Sequence, residues 1–384
     1  MHERPPVDGR PAGIYLHFPF CTERCTYCDF ATVTGQASAV EPYLASLVRE
    51  IGAFQQELPE IADTVYLGGG TPSRMTPAQV GRVLDAVRSR FRLLPACEVT
   101  LEANPESLSQ ERLAGYLKVG ITRVSVGVQS LDDGVLRRVG RAHDAARAER
   151  AVGEARAAGF AGVSLDLVAG LPGEDLSRWR DTVKRAASIG PDHVSVYLLE
   201  TDKDTPLTRS IRSGRSGVAD DDALAGAYED TVSALEGEGL ALYEISNFAR
   251  PGQRSRHNLK YWTDGAYGGF GLGAHAYCRG ARRANTRSLP AYLAALAAGR
   301  DPVDSTDPWE PRRRMAEALI LGLRLAEGVD LNVMGERYGV DLLVAYAEPW
   351  ERARAAGLVQ WNGAEVRLTA RGRVRSNELF ADLI

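Results

Sequence analysis

The sequence predicts an α/β fold in which an open, mostly parallel sheet is followed by a smaller C-terminal domain. From Gly13 to about Phe248, short β-branched runs alternate with longer stretches of helical period. This alternation is typical of βαβ units. Only about six units are present, whereas eight close a barrel, so a partial βα barrel is expected.

The strands and helices of this barrel can be placed from their periodicity. Six strands are predicted at residues 13–18, 63–68, 97–103, 121–127, 162–168 and 193–200. Helices are predicted near residues 38–57, 76–91, 109–118, 143–158, 175–189 and 221–237. Polar residues and cysteines stand late in several strands or just after them. Because the carboxyl ends of parallel strands meet at one edge, we expect these residues to share one site.

Four segments follow from this pattern: a tail (1–12), the barrel (13–248), a connecting segment (249–304) and a C-terminal domain (305–384). The prolines and charges of STDPWEPRRR (305–314) indicate a linker, followed by two or three short helices. GLVQWNGAEVRLTARG (357–372) predicts a hairpin with an Asn-Gly turn, so this domain resembles a winged helix. From Trp309 to Ile384 the chain carries 11 arginines and 11 acidic residues, a balance that disfavours DNA binding.

Charge and hydropathy exclude several classes of function. The chain has 46 basic and 50 acidic residues, for a formal charge of −4, so no large positive field is available for nucleic acid or anionic lipid. No apolar run approaches the roughly 18 residues of a membrane helix, and the first residues lack a secretory signal. A cytoplasmic protein without a transmembrane segment is expected, and peripheral membrane association stays open.

Three cysteines crowd into YLHFPFCTERCTYCDFA (15–31), where Cys21, Cys25 and Cys28 have the spacing C-x3-C-x2-C. A short loop can wrap three thiolates around three corners of an iron–sulfur cubane. That arrangement leaves one iron open to an exchangeable ligand. Zinc with His17 as fourth ligand is the alternative, and it is disfavoured because no second ligand pair follows.

The remaining cysteines give no sign of a disulfide framework. Five cysteines are an odd number, and a reducing compartment would keep them as thiols. Cys97 begins an apolar strand and Cys278 lies in a predicted loop, so both are expected to be ordinary thiols. Three buried, unliganded cysteines at 21, 25 and 28 would not suit a loop that is otherwise polar.

The C-x3-C-x2-C spacing with an aromatic residue, Tyr27, before the last cysteine resembles the signature of the radical SAM superfamily. The resemblance implies a partial βα barrel and a 4Fe-4S cluster whose open iron chelates S-adenosylmethionine (SAM). Electron transfer into the sulfonium would then release methionine and a 5′-deoxyadenosyl radical. GGGTPS (68–73) fits this scheme, because glycines permit positive φ and let backbone N–H groups approach a ligand.

A longer series of motifs narrows the resemblance: YLGGGTPS, LEANPES, SVGVQS, GRAHD, SLDLVAGLPGE, YEISNFA, HNLKYW and GFGLGAHAY. It is similar to the group that holds oxygen-independent coproporphyrinogen III oxidase and, more closely, the HemW-type haem chaperones. Residues that match SAM-binding positions of that group are Tyr15, Tyr27, Gly69, Gly70, Thr71, Glu102, Gln129, Arg141 and Asp166. Asp166 stands out because an acid in an apolar strand is costly unless it is partnered.

Two departures separate this chain from the oxidase. The oxidase pattern has a further cysteine two residues after the third ligand, where this chain has Phe30. The oxidase is also longer at its N-terminus, whereas only 14 residues precede Tyr15 here. Both departures disfavour decarboxylation of a porphyrinogen.

The segment RHNLKYW (256–262) matches the H-N-x-x-Y-W haem motif of the chaperone group, with His257, Asn258, Tyr261 and Trp262 in the motif positions. A neutral imidazole can ligate haem iron, and aromatic rings can stack on a flat macrocycle. His257 is therefore the leading haem ligand, with His275 as a second candidate. Alternatively, the motif packs the segment between the two domains.

The resemblance implies a haem chaperone that uses its cluster and SAM to support transfer of haem to a client protein. Its partners would be haem, the client and a reducing electron donor, with no nucleic acid. The competing hypothesis is an enzyme that performs radical chemistry on a substrate. Its reaction would be coproporphyrinogen decarboxylation, or methyl or methylene transfer in secondary metabolism.

Overall fold

Six parallel strands form the centre of the main sheet, and they correspond to the six that the sequence predicts. In a computed structural model, which describes residues 9–55, 58–307 and 310–384, each pairs with the next in chain order. They are β1 (Ala12–Phe18), β2 (Ile61–Gly69), β3 (Arg92–Ala103), β4 (Arg123–Gln129), β5 (Gly162–Ala169) and β6 (His193–Leu198). Residues 1–8 of the predicted tail, 56–57 of the first predicted helix and 308–309 of the predicted linker lie outside the described residues.

Helices follow the strands and cover the outside of the sheet. They are α1 (Val40–Ala53), α2 (Pro77–Arg90), α3 (Gln110–Val119), α4 (Asp133–Arg138), α5 (Ala145–Ala158), α6 (Trp179–Ser188), α7 (Pro206–Arg212) and α8 (Asp221–Gly237). The sequence did not predict α4 and α7, because six or seven residues are too few to display a helical period. Local signals set boundaries elsewhere: a capping box at Thr76 begins α2.

Further strands extend the sheet at both edges. Beyond β6 lie β8 (Asn247–Ala249) and then β7 (Ala241–Glu244); beyond β1 lie β9 (Tyr267–Phe270), β10 (His275–Cys278), β11 (Ala281–Asn285) and β12 (Val303–Asp307). The helices α9 (Arg256–Trp262) and α10 (Leu289–Ala297) belong to the same stretch. Within the described residues the sheet is open, with β12 and β7 at its edges.

The segment 249–304, predicted as a connection, therefore contributes three whole strands to the sheet, and β12 crosses the predicted boundary at residue 304. Cys278, expected in a loop, ends β10. These strands have only four or five residues and include Gly268 and Gly269, so they lack the β-branched runs that indicate a strand.

The six parallel strands have an apolar outer face and a polar inner face. Outward residues such as Ile14, Val65 and Leu165 are fully buried against the helices. Strand register brings inward polar residues side by side: Tyr15 with Tyr66, Thr100 with Arg123, Glu102 with Ser125, and Asp166 with Ser195. Because side chains alternate along a strand, this register produces a polar interior.

The C-terminal domain has its own core and a three-stranded sheet. It comprises α11 (Pro311–Leu323), β13 (Val329–Asp330), α12 (Leu331–Tyr338), α13 (Leu342–Ala345), α14 (Ala347–Ala355), β14 (Val359–Asn362), β15 (Glu365–Leu368), α15 (Ala370–Val374) and α16 (Ser376–Leu383). The predicted hairpin is present as β14–β15, but Asn362 pairs with Glu365, so the turn consists of Gly363 and Ala364 and lies one residue later than predicted. Four described helices, more than the expected two or three, precede it, and the predicted linker (305–314) instead holds the end of β12 and the start of α11.

Candidate functional site

A cavity of about 890 Å³ lies inside the curved sheet. Its walls come from the inner faces of β1–β6, the cysteine loop, α9 and the C-terminal domain. It brings together these predicted site residues: Tyr15, Cys21, Cys25, Tyr27, Cys28, Gly69, Gly70, Thr71, Glu102, Gln129, Arg141, Asp166, Asn258, Tyr261 and Trp262. Phe30 also lines it and is 57% exposed. A smaller cavity of about 330 Å³ lies around Arg49 and Arg283 and contains none of these residues.

The three clustered cysteines lie on one loop at the cavity wall, and all are partly buried free thiols. The Cys28 N–H donates to the Cys25 carbonyl at 3.2 Å, and the Cys21 N–H donates to the Val33 carbonyl at 3.0 Å. Burial raises the pKa of Cys21 and Cys28, so thiolates here need a positive partner.

Donors to these sulfurs are present. Arg141 Nη1 lies 3.4 Å from Cys25 Sγ, and Thr71 Oγ1 donates to Cys21 Sγ at 3.5 Å. A cationic group beside three cysteines on one loop suits the thiolate ligation of an iron–sulfur cluster. The donor set therefore fits that cofactor.

His17, the predicted fourth ligand of the zinc alternative, has both ring nitrogens hydrogen-bonded to other groups of the protein. Its Nδ1 is hydrogen-bonded to the Tyr15 hydroxyl at 3.1 Å and its Nε2 to the Ala31 carbonyl at 2.9 Å. Burial lowers the pKa of His17 to about 4, which keeps the imidazole neutral. His17 thus orients Tyr15 and anchors the chain that follows the cysteines.

The glycine motif after β2 holds the cysteine loop close to the sheet. Gly69 has φ 114°, and a Cβ there would lie 2.5 Å from the His17 ring. The positive φ was expected. The Gly69 N–H, however, donates to Glu102 at 3.0 Å and the Gly70 N–H donates to the Phe18 carbonyl at 2.8 Å. These amides therefore brace the site, whereas the sequence suggested that they would face a ligand.

Two buried carboxyl groups face the cavity from neighbouring strands. Glu102 accepts from the Tyr66 hydroxyl at 2.8 Å, and Asp166 accepts from the Ser125 hydroxyl at 2.9 Å. Burial raises the pKa of Glu102 to about 7 and also raises that of Asp166. Because burial disfavours the charged form, both groups would gain from a ligand that brings hydroxyl or ammonium donors.

Gln129, Arg141 and Asn104 converge over Gly127, where a Cβ would lie 2.8 Å from Gln129 Nε2. Arg141 Nη2 donates to Asn104 Oδ1 at 2.9 Å and to the Gly127 carbonyl at 2.8 Å. Gln129 has φ 68°, an unusual value for a residue with a side chain. Asn104 was missed from sequence, although a polar residue directly after β3 was the available signal.

The H-N-x-x-Y-W motif forms the short helix α9, capped by the Ser255 side chain. His257 is fully buried behind the cavity wall: its Nδ1 bonds to Thr64 Oγ1 at 2.8 Å and its Nε2 to the Tyr261 hydroxyl at 2.9 Å. Asn258 and Trp262, one turn apart, line the cavity. In this structure His257 therefore supports the motif, because both ring nitrogens are bonded within the protein.

The other predicted residues lie outside this arrangement. His275 is exposed at the start of β10 and does not line the cavity. Cys97 is partly buried in β3, and Cys278 is partly buried in β10. The structure therefore does not bring the second haem-ligand candidate to the cavity.

Comparison with known proteins shows the family of this chain. Residues 15–186 match the radical SAM superfamily and residues 310–375 match the HemN C-terminal domain. The chain is 39% identical over 384 residues to the heme chaperone HemW of Mycobacterium tuberculosis, covering 99% of this chain and 96% of that protein. This chain belongs to the HemW family of radical SAM proteins.

A second curated relative agrees with the family, and a solved structure agrees with the fold. The heme chaperone HemW of Bacillus subtilis is 33% identical over 368 residues, covering 95% of this chain and 97% of that protein. The coproporphyrinogen III oxidase HemN of Escherichia coli superposes with a TM-score of 0.85 at 21% identity, covering 97% of this chain and 90% of that chain. The latter likeness confirms the fold: an open α/β sheet with a HemN-type C-terminal domain.

Membership of the radical SAM superfamily implies a 4Fe-4S cluster and SAM, and the three-thiol donor set fits the cluster. Within the described part of the chain, no helix is both long and apolar enough to cross a membrane.

Proposed function

We propose that this protein is a haem chaperone that binds a 4Fe-4S cluster, SAM and haem, and that delivers haem to a client protein. The observation that carries the proposal is that the cysteine loop and the H-N-x-x-Y-W helix line one cavity. A site that joins a cluster to an aromatic wall suits a protein that holds a flat macrocycle near a redox centre.

The cluster would be held by Cys21, Cys25 and Cys28, with Arg141 stabilising the thiolate charge at Cys25. When bound, the cluster and SAM supply one-electron chemistry at the open iron. SAM would contact the polar interior, where carboxyl, amide and guanidinium groups offer both acceptors and donors. Those residues are Tyr15, Tyr27, Gly69, Gly70, Thr71, Glu102, Gln129, Arg141 and Asp166.

Haem would lie against α9, where Asn258, Tyr261 and Trp262 form part of the wall. His257 acts in this proposal as a positioning residue, because its Nε2 holds the Tyr261 hydroxyl at 2.9 Å. Direct ligation of iron by His257, the role suggested by the sequence, would require this nitrogen to exchange Tyr261 for the metal.

Anaerobic titration with haem tests the binding step and the role of His257. Wild-type protein should develop a saturable Soret band. His257→Ala and Tyr261→Phe should both weaken haem binding, by about tenfold if one supporting hydrogen bond of the usual strength is lost, while the band keeps its position. A shifted band in His257→Ala with an unshifted band in Tyr261→Phe would assign His257 as the iron ligand instead.

A haem-transfer assay and a substrate-turnover assay distinguish haem delivery from catalysis on a porphyrinogen. Haem-loaded protein should transfer haem to a haem-free acceptor, and reduced, cluster-loaded protein should return added coproporphyrinogen unchanged. Conversion of that substrate with stoichiometric 5′-deoxyadenosine would instead support an oxidase.

The proposal places the protein in the cytoplasm, with a reducing electron donor and a haem-accepting client as its partners.

A further inference from the structure

Two arginines of the C-terminal domain line the same cavity, and the family motifs assign neither. Arg324 follows the end of α11, and Arg373 lies in α15. Arg324 is fixed in place because its carbonyl accepts from the Ile245 N–H at 2.9 Å and the Ala326 N–H donates to the Tyr243 carbonyl at 3.0 Å. The C-terminal domain thus supplies two cationic groups to the wall of the barrel cavity.

Neither guanidinium group forms a salt bridge with a carboxylate of the described residues, and Nε of each is buried without a hydrogen-bond partner. Arg373 Nη1 donates to the Leu368 carbonyl at 3.4 Å. Arg324 lies over the Trp262 ring, 4.7 Å from its centroid. A partly desolvated guanidinium without an anion is costly, so these groups are suited to receive one.

The surroundings of the two arginines add further hydrogen-bond donors. Trp262 Nε1 is a further buried donor without a partner, and the Tyr228 phenol lies beside Arg373. The acidic group nearby is Glu244, which accepts from the Ser246 N–H at 3.3 Å and from Asn247 Nδ2. Burial raises the pKa of Glu244 to about 7, against the opposing effect of Arg324, so it only partly neutralises the arginines.

We propose that Arg324 and Arg373 form a carboxylate-binding subsite that holds the anionic side chains of a bound tetrapyrrole. A guanidinium binds a carboxylate through two parallel hydrogen bonds, and Trp262 would place the apolar ring next to these groups. This inference rests on the proposed function, since it names the groups of haem that the C-terminal domain recognises. SAM also carries a carboxylate, so SAM is titrated in parallel into the same wild-type and variant proteins.

The experiment compares haem with its dimethyl ester, in which both carboxylates are blocked, each titrated from the same detergent micelle into the full-length protein. Wild-type protein should bind haem at least about tenfold more tightly than the ester. Arg324→Gln and Arg373→Gln should each weaken haem binding by about 10- to 100-fold, the effect of losing a charged hydrogen-bond pair, and leave ester binding unchanged. Arg373→Lys, which keeps the charge but loses the fork, should fall between Gln and wild type.

Arg371→Gln, an exposed arginine two residues away on α15, is the matched control and should bind both porphyrins as wild type does. Equal affinity of wild-type protein for haem and ester would overturn this subsite alone. So would variants that lose both porphyrins equally, or that lose SAM and not haem. If wild-type protein binds neither porphyrin, the proposed function fails and the subsite with it.

Discussion

Gly69 shows, at the scale of one residue, how the site constrains its own backbone. It combines φ 114° with a hypothetical Cβ only 2.5 Å from the buried His17 ring. Gly69→Ala should lower the free energy of unfolding by at least about 2 kcal/mol, because an L-residue is strained at this φ and His17 must move.

Gly52→Ala is the matched control for that measurement. Gly52 lies in α1, where a Cβ would meet nothing within 4 Å. This substitution should raise the free energy of unfolding by about 0.5–1 kcal/mol, the difference in helix propensity. Chemical denaturation of both variants provides the comparison, and a Gly69→Ala protein as stable as Gly52→Ala would contradict this account of the glycine motif.

Single residues of the site were predictable where position alone revealed them. Cys21, Glu102 and Asp166 stand in or after predicted strands, and they do face the cavity. The bond between His257 and Tyr261 lies within α9, whereas the bond to Thr64 was not predictable, because it depends on how α9 packs against β2. A sequence shows the residue type, but a partner such as Thr64 comes from an element that is distant in the chain.

At the scale of elements, buried Glu50 joins three pieces of the fold to α1. Its carboxyl group accepts from the Gly271 N–H at 2.8 Å, from Asn285 Nδ2 in β11 at 2.6 Å and from the Tyr292 hydroxyl in α10 at 2.6 Å. Burial nevertheless raises the pKa of Glu50 to about 7. The junction is thus held by a carboxyl group that is largely protonated below neutral pH.

This junction makes stability depend on pH with a definite sign. The pKa of Glu50 is near 4.5 in the unfolded state and near 7 in the folded state. Between these pH values the native state binds more protons than the unfolded state, so the contribution of Glu50 to the free energy of unfolding falls as pH rises, by about 3 kcal/mol in all. Glu50→Gln should show a shallower loss of unfolding free energy across this range, measured by denaturant titration at several pH values. Parallel profiles of the two proteins would rule out the assignment.

The long elements of the fold were predictable, and the short ones were not. The strands β1 to β6 have buried, β-branched runs, and their helices display a full amphipathic period, so sequence alone placed most of their ends within a few residues. The exception is β3, which was predicted to begin at residue 97 and begins at Arg92 with a mostly exposed stretch. In contrast, β9 to β11 and the helices α4 and α7 have four to seven residues. Such elements form because the existing sheet and helices offer partners, which is a tertiary effect that no local pattern records.

At the scale of the whole molecule, the cavity belongs to both domains. The sequence predicted a winged-helix-like C-terminal domain, and its balanced charge gave no sign of a ligand site. The structure places Arg324 and Arg373 of that domain on the cavity wall. A backbone hydrogen bond from the Ile245 N–H to the Arg324 carbonyl holds Arg324 against the main sheet domain. Scattered arginines become a site only when the fold brings them together.

The proposed function depends most on Cys21, Cys25 and Cys28, which line this cavity and would hold the 4Fe-4S cluster. Iron and acid-labile sulfide analysis of anaerobically reconstituted protein tests it most directly. Wild-type protein and Cys97→Ser should each contain about four iron and four sulfide per chain, as a 4Fe-4S cluster requires, whereas Cys25→Ser and Cys28→Ser should lose most of both. Zinc in place of iron, or a full complement of iron and sulfide in the Cys25 and Cys28 variants, would contradict the account.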